Sequence, residues 1–138
     1  MSAPRPARID LRRGSRVLVI GYADGRSYAL PFEYLRVYSP SAEVRGHGDS
    51  EWNLIGGKRQ VQITAVEPVG QYALRLRFDD GHASGIYSWA VLAELADNFE
   101  AWWADYLHRL EAVGMSRDSD IVKLAALPKK HVPKDPQA

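Results

Sequence analysis

The sequence contains no cysteine among its 138 residues. This absence excludes disulfide bonds, iron–sulfur ligation by the chain itself, thiolate zinc sites and cysteine nucleophiles. It also fits a reducing compartment, and we therefore expect a cytoplasmic protein. Long apolar runs are missing as well: none reaches the length of a membrane span, and none follows the N-terminal arginines as in a secretory signal.

An excess of charge of either sign is also lacking, because 18 basic residues face 17 acidic ones and the net charge is +1. A chain this close to neutral has no overall field that would attract nucleic acid or an anionic membrane. The arginines near the N-terminus and the lysines of the tail leave a local nucleic-acid contact open, but no known reader motif accompanies them. We therefore expect neither a nucleic acid nor a membrane as partner.

What the sequence does contain is ordinary for one soluble domain, with 46% hydrophobic and 25% charged residues. Prolines and lysines are concentrated at the two ends, where there is little to bury. We therefore expect a flexible N-terminal arm at 1–7, a folded domain at 8–113, and a tail at 114–138 that starts with a short helix and continues without order.

The middle of the chain predicts antiparallel hairpins closed by Asp-Gly turns, because glycine accepts the positive φ that such turns require. Strands are expected at 16–23 and 27–30, and a short helix follows at PFEYLR. Further strands are expected at 60–66 and 72–78, separated by a turn at 67–70. Tyr72 should share the inner face of its strand with the following leucines.

Two helices are predicted after the second hairpin. The first spans 89–96 with Ser88 as its N-cap. The second spans 99–113, with a wide apolar stripe on one side and a capping box formed by Asp97 and Glu100.

The segment LVIGYADG at 18–25 aligns without gaps on LRLRFDDG at 74–81. Each segment is followed by a short strand and then a helix, which indicates a duplicated strand–turn–strand–helix unit. The fold class is therefore a single α+β domain, in which short twisted antiparallel hairpins pack against a C-terminal amphipathic helix.

His82 is a candidate functional residue because it directly follows the turn of Asp79, Asp80 and Gly81. A carboxylate beside an imidazole can orient it for acid–base work or for metal binding. The alternative is that the histidine only caps the hairpin by hydrogen bonding. A second candidate is Trp103, since adjacent tryptophans on a helix point about 100° apart and one of the pair could anchor a partner.

Three longer strings carry a resemblance to a known family: LRVYSPSAEVRGHG at 35–48, GKRQVQI at 57–63 and EPVGQYALRLRFDDGHASGIYSW at 67–89. They resemble the gamma-butyrobetaine hydroxylase-like N-terminal domain over roughly residues 8–113. In the carnitine-synthesis dioxygenases a similar domain precedes the catalytic domain and resembles a zinc module of three cysteines and one histidine.

The resemblance implies that the cysteine places fall near Ser39, Ser41 and Val44, and that the histidine place falls on His82. Hydroxyls and a valine are poor zinc ligands beside thiolate and imidazole, so we expect no zinc and no other cofactor. The chain is also too short to contain the oxygenase catalytic domain, and we do not expect an enzyme of that kind.

In other relatives the same kind of domain is fused to P-loop ATPases that look like iron–sulfur cluster carriers. The resemblance therefore implies a stand-alone bacterial copy that acts as a non-catalytic accessory or interaction domain, with such an ATPase as partner. The alternative is a metal or small-molecule site around His82, Asp79 and Asp80, and a homodimer through exposed aromatics stays open. The candidate functional surface comprises ten residues: Arg36, Ser39, Glu43, Arg45, His47, Asp79, Asp80, His82, Tyr87 and Trp103.

Overall fold

The computed structural model describes residues 3–40, 54–82 and 85–118. The tail beyond residue 118 lies outside this range, and with it most of the short helix expected there. Five of the candidate residues also lie outside the described residues: Ser41, Glu43, Val44, Arg45 and His47.

The described chain forms two consecutive units, each an antiparallel three-stranded sheet followed by a helix. The first unit contains β1 (Arg8–Arg12), β2 (Val17–Gly21), β3 (Ser27–Pro31) and α1 (Phe32–Val37). The second unit contains β4 (Ile63–Val69), β5 (Ala73–Phe78), β6 (Gly85–Ser88) and α2 (Trp89–Asp97). The helix α3 (Phe99–Ala112) completes the domain. The fold is α+β, as the sequence predicts.

The two Asp-Gly turns have the same geometry, which confirms the internal repeat. In the first turn, Tyr22 N donates to Arg26 O and Gly25 N donates to Tyr22 O. In the second turn, the equivalent Phe78 N donates to His82 O, and the glycine N–H again returns to the first residue. Both glycines have a positive φ, 95° and 91°, which only glycine adopts without strain. The loops are thus three residues long and end in the glycine.

The core lies between the inner faces of the two sheets and the helices. Fully buried side chains come from both units and include Leu18, Leu30, Tyr34, Leu76 and Tyr87. The two units share this core: the hydroxyl of Tyr34 on α1 donates to Leu95 O on α2 at 2.7 Å. Helix α3 closes the core with Tyr106 and Leu110.

The first strand of each unit, β1 or β4, differs from the prediction. The prediction has no strand at β1, whose apolar residues Ile9 and Leu11 alternate with charged ones; both nevertheless pack against the core. It also ended the fourth strand too early, because β4 continues through Pro68 to Val69. Proline is tolerated there because β4 is an edge strand, where an N–H can be lost without breaking the ladder.

Three smaller expectations were also wrong. No capping box forms: Asp97 is the last residue of α2, Asn98 lies between the helices, and α3 begins without a side-chain cap. Tyr72 is 60% exposed and lies in the turn before β5, where Ala73 is buried instead. Val113 is 45% exposed because it follows the last turn of α3. The Ser88 cap of α2 is confirmed, since its hydroxyl accepts from Val91 N at 3.2 Å.

Candidate functional site

The second Asp-Gly turn is held against the end of α1, and this junction is the candidate site. We call it the His82 site; it comprises six residues, Arg36, Ser39, Lys58, Asp80, His82 and Tyr87. Arg36 and Ser39 lie at the end of α1, and Asp80 and His82 lie in the turn between β5 and β6, so the packing of the second hairpin on α1 determines their arrangement.

Asp80 is the electrostatic centre of the site. Its Oδ2 accepts from Arg36 Nε at 2.8 Å and from Lys58 Nζ at 2.7 Å, and its Oδ1 accepts from His82 N at 3.0 Å. Burial alone would raise the pKa of Asp80, but the hydrogen bonds from Lys58, His82 N and Arg36 together lower it to about 2. The carboxylate therefore stays ionised, and both of its oxygens are occupied in holding the turn.

His82 contacts α1 through its side chain. Its Nε2 lies 2.9 Å from Ser39 Oγ, a hydroxyl whose residue is completely buried. The imidazole is half-buried and also lies beside Phe78, with 6.0 Å between the ring centroids. His82, at the histidine place, is thus a neighbour in space of Ser39, which lies near one of the cysteine places.

Tyr87 and Gly85 complete the buried side of the site. The phenol of Tyr87 donates to Leu35 O, and burial raises its pKa well above the usual value, although the nearby Ser39 hydroxyl acts in the opposite direction. A Cβ at Gly85 would lie 2.9 Å from the Tyr87 ring and 3.0 Å from Ser39 Oγ. The close approach of these two side chains is therefore what requires glycine at this position.

The remaining predicted residues do not join this cluster. Asp79 points to the neighbouring strand, where its Oδ1 accepts from Gln62 N at 3.0 Å. Trp103 lies on α3, half-buried between Phe99 and Tyr106, and Arg117 covers its ring at 5.3 Å. Its neighbour Trp102 is half-buried against Tyr38, so neither tryptophan projects freely from the helix.

The donors at the His82 site do not fit the zinc module that the resemblance implies. The Ser39 hydroxyl, which lies near one of the cysteine places, is hydrogen-bonded to the imidazole nitrogen and is a poor zinc ligand beside a thiolate. Within 3–40, 54–82 and 85–118, no group of three His, Cys, Asp or Glu residues is arranged to hold a metal ion.

Sequence reasoning missed Lys58, which entered it only as part of the string GKRQVQI at 57–63. It also missed the ion pair of Glu33 with Arg117, in which Arg117 Nη2 donates to the almost fully buried carboxylate at 2.7 Å. No pattern in the sequence reveals either contact, because the partners are 22 and 84 residues apart. In the described part of the chain, no helix is long and apolar enough to cross a membrane.

Several solved structures are similar to this chain. Two are solution structures determined by NMR. One is 49% identical to this chain, with a TM-score of 0.73, and the match covers 89% of this chain and 98% of the chain in that structure. The other is 46% identical, with a TM-score of 0.74, and covers 89% and 92%. A crystal structure from Acidithiobacillus ferrooxidans, of a protein of unknown function in the DUF971 family, is 38% identical, with a TM-score of 0.57, and covers 69% of this chain and 98% of its own.

No curated protein matches the chain. The sequence profile described as "Gamma-butyrobetaine hydroxylase-like, N-terminal" matches residues 9–93, a stretch that begins in β1 and ends in α2 and therefore contains both repeat units. The chain belongs to this gamma-butyrobetaine hydroxylase-like N-terminal family.

Proposed function

We propose that this chain is a non-catalytic interaction module of the bacterial cytoplasm, and that the surface around the His82 site docks on a protein partner. The observation that carries the proposal is that the polar groups of the site are hydrogen-bonded to one another. Asp80 is occupied on both oxygens, and Ser39 Oγ is buried and bonded to His82. These contacts hold a surface in place rather than leave groups ready for chemistry.

The ion-pair cluster of Arg36, Lys58 and Asp80 carries a net positive charge. Arg36 and Lys58 bring two positive charges to the single carboxylate of Asp80, and their side chains keep 12% and 22% of their exposure. A partner with an acidic patch would therefore be attracted to this side of the domain. By its family association, the partner is a P-loop ATPase of the iron–sulfur carrier type.

Affinity co-purification of the tagged full chain from its own cells, followed by mass spectrometry, tests the proposal. We expect recovery of such an ATPase, and a loss of at least about threefold in the Lys58→Gln variant, because one charge-assisted contact is removed. Arg59→Gln is the matched control, since it removes a positive charge from the next residue, whose partner is the exposed Asp118. No ATPase above background, or equal recovery with both variants, would contradict the proposal.

A second candidate function is a metal or small-molecule activity centred on His82. The hydroxyl–imidazole pair of Ser39 and His82, 2.9 Å apart, is the arrangement that activates a nucleophile in other proteins. Ser39 is, however, fully buried, so a substrate would not reach its oxygen. Elemental analysis of native protein separates the two candidates: stoichiometric zinc or iron that disappears in His82→Ala would favour the second.

A further inference from the structure

The internal repeat creates a second junction of the same kind as the His82 site. Here the first Asp-Gly turn lies against the end of α2. Arg36 and Ser39 lie five and eight residues after Pro31, the N-cap of α1. Counted in the same way from Ser88, the N-cap of α2, the equivalent residues are Ala93 and Ala96. The polar side chains that fill the His82 site are thus replaced by two alanines, and Arg26 takes the place of His82.

Without those side chains, a cavity of about 120 Å³ remains between the first turn and α2, lined by Tyr22, Arg26, Tyr28, Ala93, Ala96 and Asp97 among others. We call it the Tyr22 cleft. Its size is close to that of cavities that accept a small organic group, for which about 150 Å³ is known to hold benzene.

The Tyr22 cleft contains a buried polar group without a partner. Tyr22 is only 7% exposed, and its hydroxyl makes no hydrogen bond to any described residue. Burial raises the pKa of Tyr22; Arg26 opposes this rise, and Tyr28 and Asp97 add to it, so the hydroxyl keeps its proton. A buried hydroxyl without a partner destabilises the fold, and a ligand atom that bonded to it would remove that cost.

The rim of the cleft is acidic. Grooves that adjoin the cleft are lined by Glu94, Asp97 and Glu100, and none of these three forms an ion pair with the residues the structure describes. Arg26, the one cation among the described residues that line the cleft, is already paired with Asp24 at 2.7 Å. The balance of charge therefore favours a cationic ligand over an anionic one.

An open strand edge runs along the same groove. Among the strands that the structure describes, β3 pairs with β2 alone, and its even-numbered residues bond to that neighbour, as Arg26 O does with Tyr22 N. Because the directions alternate along an antiparallel strand, the N–H and C=O groups of Ser27 and Ala29 point away from the sheet. Both residues line the groove that continues to Asp97 and to the start of α3.

We propose that this groove binds an extended, lysine-bearing segment of a partner protein, whose backbone pairs with β3 and whose lysine side chain enters the Tyr22 cleft. The lysine stem packs on the alanines and tyrosine rings, and its ammonium group lies between the Tyr22 hydroxyl and the Asp97 carboxylate. The inference rests on the chain being an interaction module, but it concerns a different face from the His82 site.

NMR titration of the isotopically labelled full chain with two capped pentapeptides, Thr-Val-Lys-Val-Thr and Thr-Val-Glu-Val-Thr, tests the proposal. We expect the lysine peptide to shift the amide signals of Ser27, Ala29 and residues 93–100, and to bind about tenfold more tightly than the glutamate peptide. Equal affinities, shifts confined to other parts of the domain, or no shifts at millimolar peptide would overturn the proposal.

Two variants locate the lysine in the cleft. Tyr22→Phe removes only a hydroxyl that has no partner, so the fold is retained, and Asp97→Asn removes one exposed charge. Each variant should weaken the binding of the lysine peptide by about threefold to tenfold. Glu111→Gln removes an acid of α3 that does not line the cleft, and it should leave the affinity within about twofold. Unchanged affinity in both cleft variants would overturn the placement. These titrations use no ATPase, so they fail or succeed independently of the His82 surface.

Discussion

At the scale of single residues, the His82 site depends on one glycine that leaves no room for a side chain. Gly85 approaches the Tyr87 ring and Ser39 Oγ so closely that a Cβ would lie within about 3 Å of both. Neither neighbour can move freely, because Tyr87 is bonded to Leu35 O and Ser39 to His82.

Gly85→Ala should therefore destabilise the protein by about 1–3 kcal/mol, which is the usual cost of forcing an extra methyl group into a packed interior. Urea denaturation measures the change. Gly14→Ala is the control, since a Cβ at Gly14 meets no atom within 4 Å and its φ is not positive. Equal effects of the two substitutions would show that the close contacts at Gly85 do not constrain it.

Because the pKa of Asp80 is lower in the folded chain than in the unfolded chain, the free energy of unfolding should fall as the pH is lowered. The carboxyl titrates at about 2 in the folded chain and at its ordinary value of 3.8 in the unfolded chain. The ionised form thus stabilises the fold fully above about pH 5, and this contribution is lost as the pH falls through 4 towards 2.

Asp80→Asn should consequently lower the free energy of unfolding by about 1–2 kcal/mol at pH 7, after allowance for solvent screening, and the deficit should shrink on titration to pH 3. Asp24→Asn is the matched control, because Asp24 accepts the same backbone hydrogen bond in the first turn but is exposed. A deficit for Asp80→Asn that stays constant with pH would contradict the assignment.

At the scale of elements, the segment after α3 contacts two other parts of the chain, residues 57–59 and helix α1. Gly57 N donates to Ser116 O and Arg59 N donates to Arg117 O, so residues 57–59 are hydrogen-bonded to residues 116–117. The guanidinium of Arg117 then forms a bidentate pair with Glu33 of α1, which is only 5% exposed. α1 is thereby connected to the segment that supplies Lys58 to the His82 site.

Arg117→Met should cost roughly 2–4 kcal/mol, because it leaves the Glu33 carboxylate buried without its partner. Arg59→Met, which breaks a solvent-exposed pair with Asp118, should cost no more than about 0.5 kcal/mol. Chemical denaturation of both variants provides the comparison. The double variant Glu33→Gln with Arg117→Met should recover part of the loss; no recovery would mean that the pair contributes little beyond packing.

The elements that the sequence predicts well are those whose signals are local. The two Asp-Gly turns, the Ser88 cap and the apolar stripe of α3 each depend on residues within a few positions of one another. β1 was missed because its two core residues alternate with charged residues, and β4 was shortened because proline was taken as the start of a turn. The contacts of Asp80 with Arg36 and Lys58 depend on how the units pack, and no local signal encodes them.

At the scale of the whole molecule, two similar units form one core rather than two. The link between Tyr34 of α1 and Leu95 of α2 crosses from one unit to the other, and a second cross-connection joins Arg13 Nη2 to Thr64 O at 3.0 Å. Leu18 and Leu76 occupy equivalent strands in the two units, and both are fully buried.

Leu18→Ala and Leu76→Ala should each cost about 2–4 kcal/mol and should each shift the entire unfolding transition. The tryptophans all lie after residue 50, and Trp103 packs on Tyr34 of α1, so fluorescence reports on the second half of the chain and its contact with α1, while far-UV circular dichroism reports on both units. The two signals should coincide in wild type and in both variants. Separate midpoints in Leu18→Ala would show that the first unit unfolds on its own.

The pairing order of the strands has a consequence for how fast the chain reaches its native state. In both described sheets, each strand pairs only with the strand that precedes or follows it in the sequence. Short loops close at small entropic cost, and chains rich in such local contacts cross the folding barrier faster than β proteins with distant strand pairs. Each sheet can therefore form as soon as its own stretch of chain is available, whereas the docking of the two sheets and the contacts of the segment after α3 join distant residues.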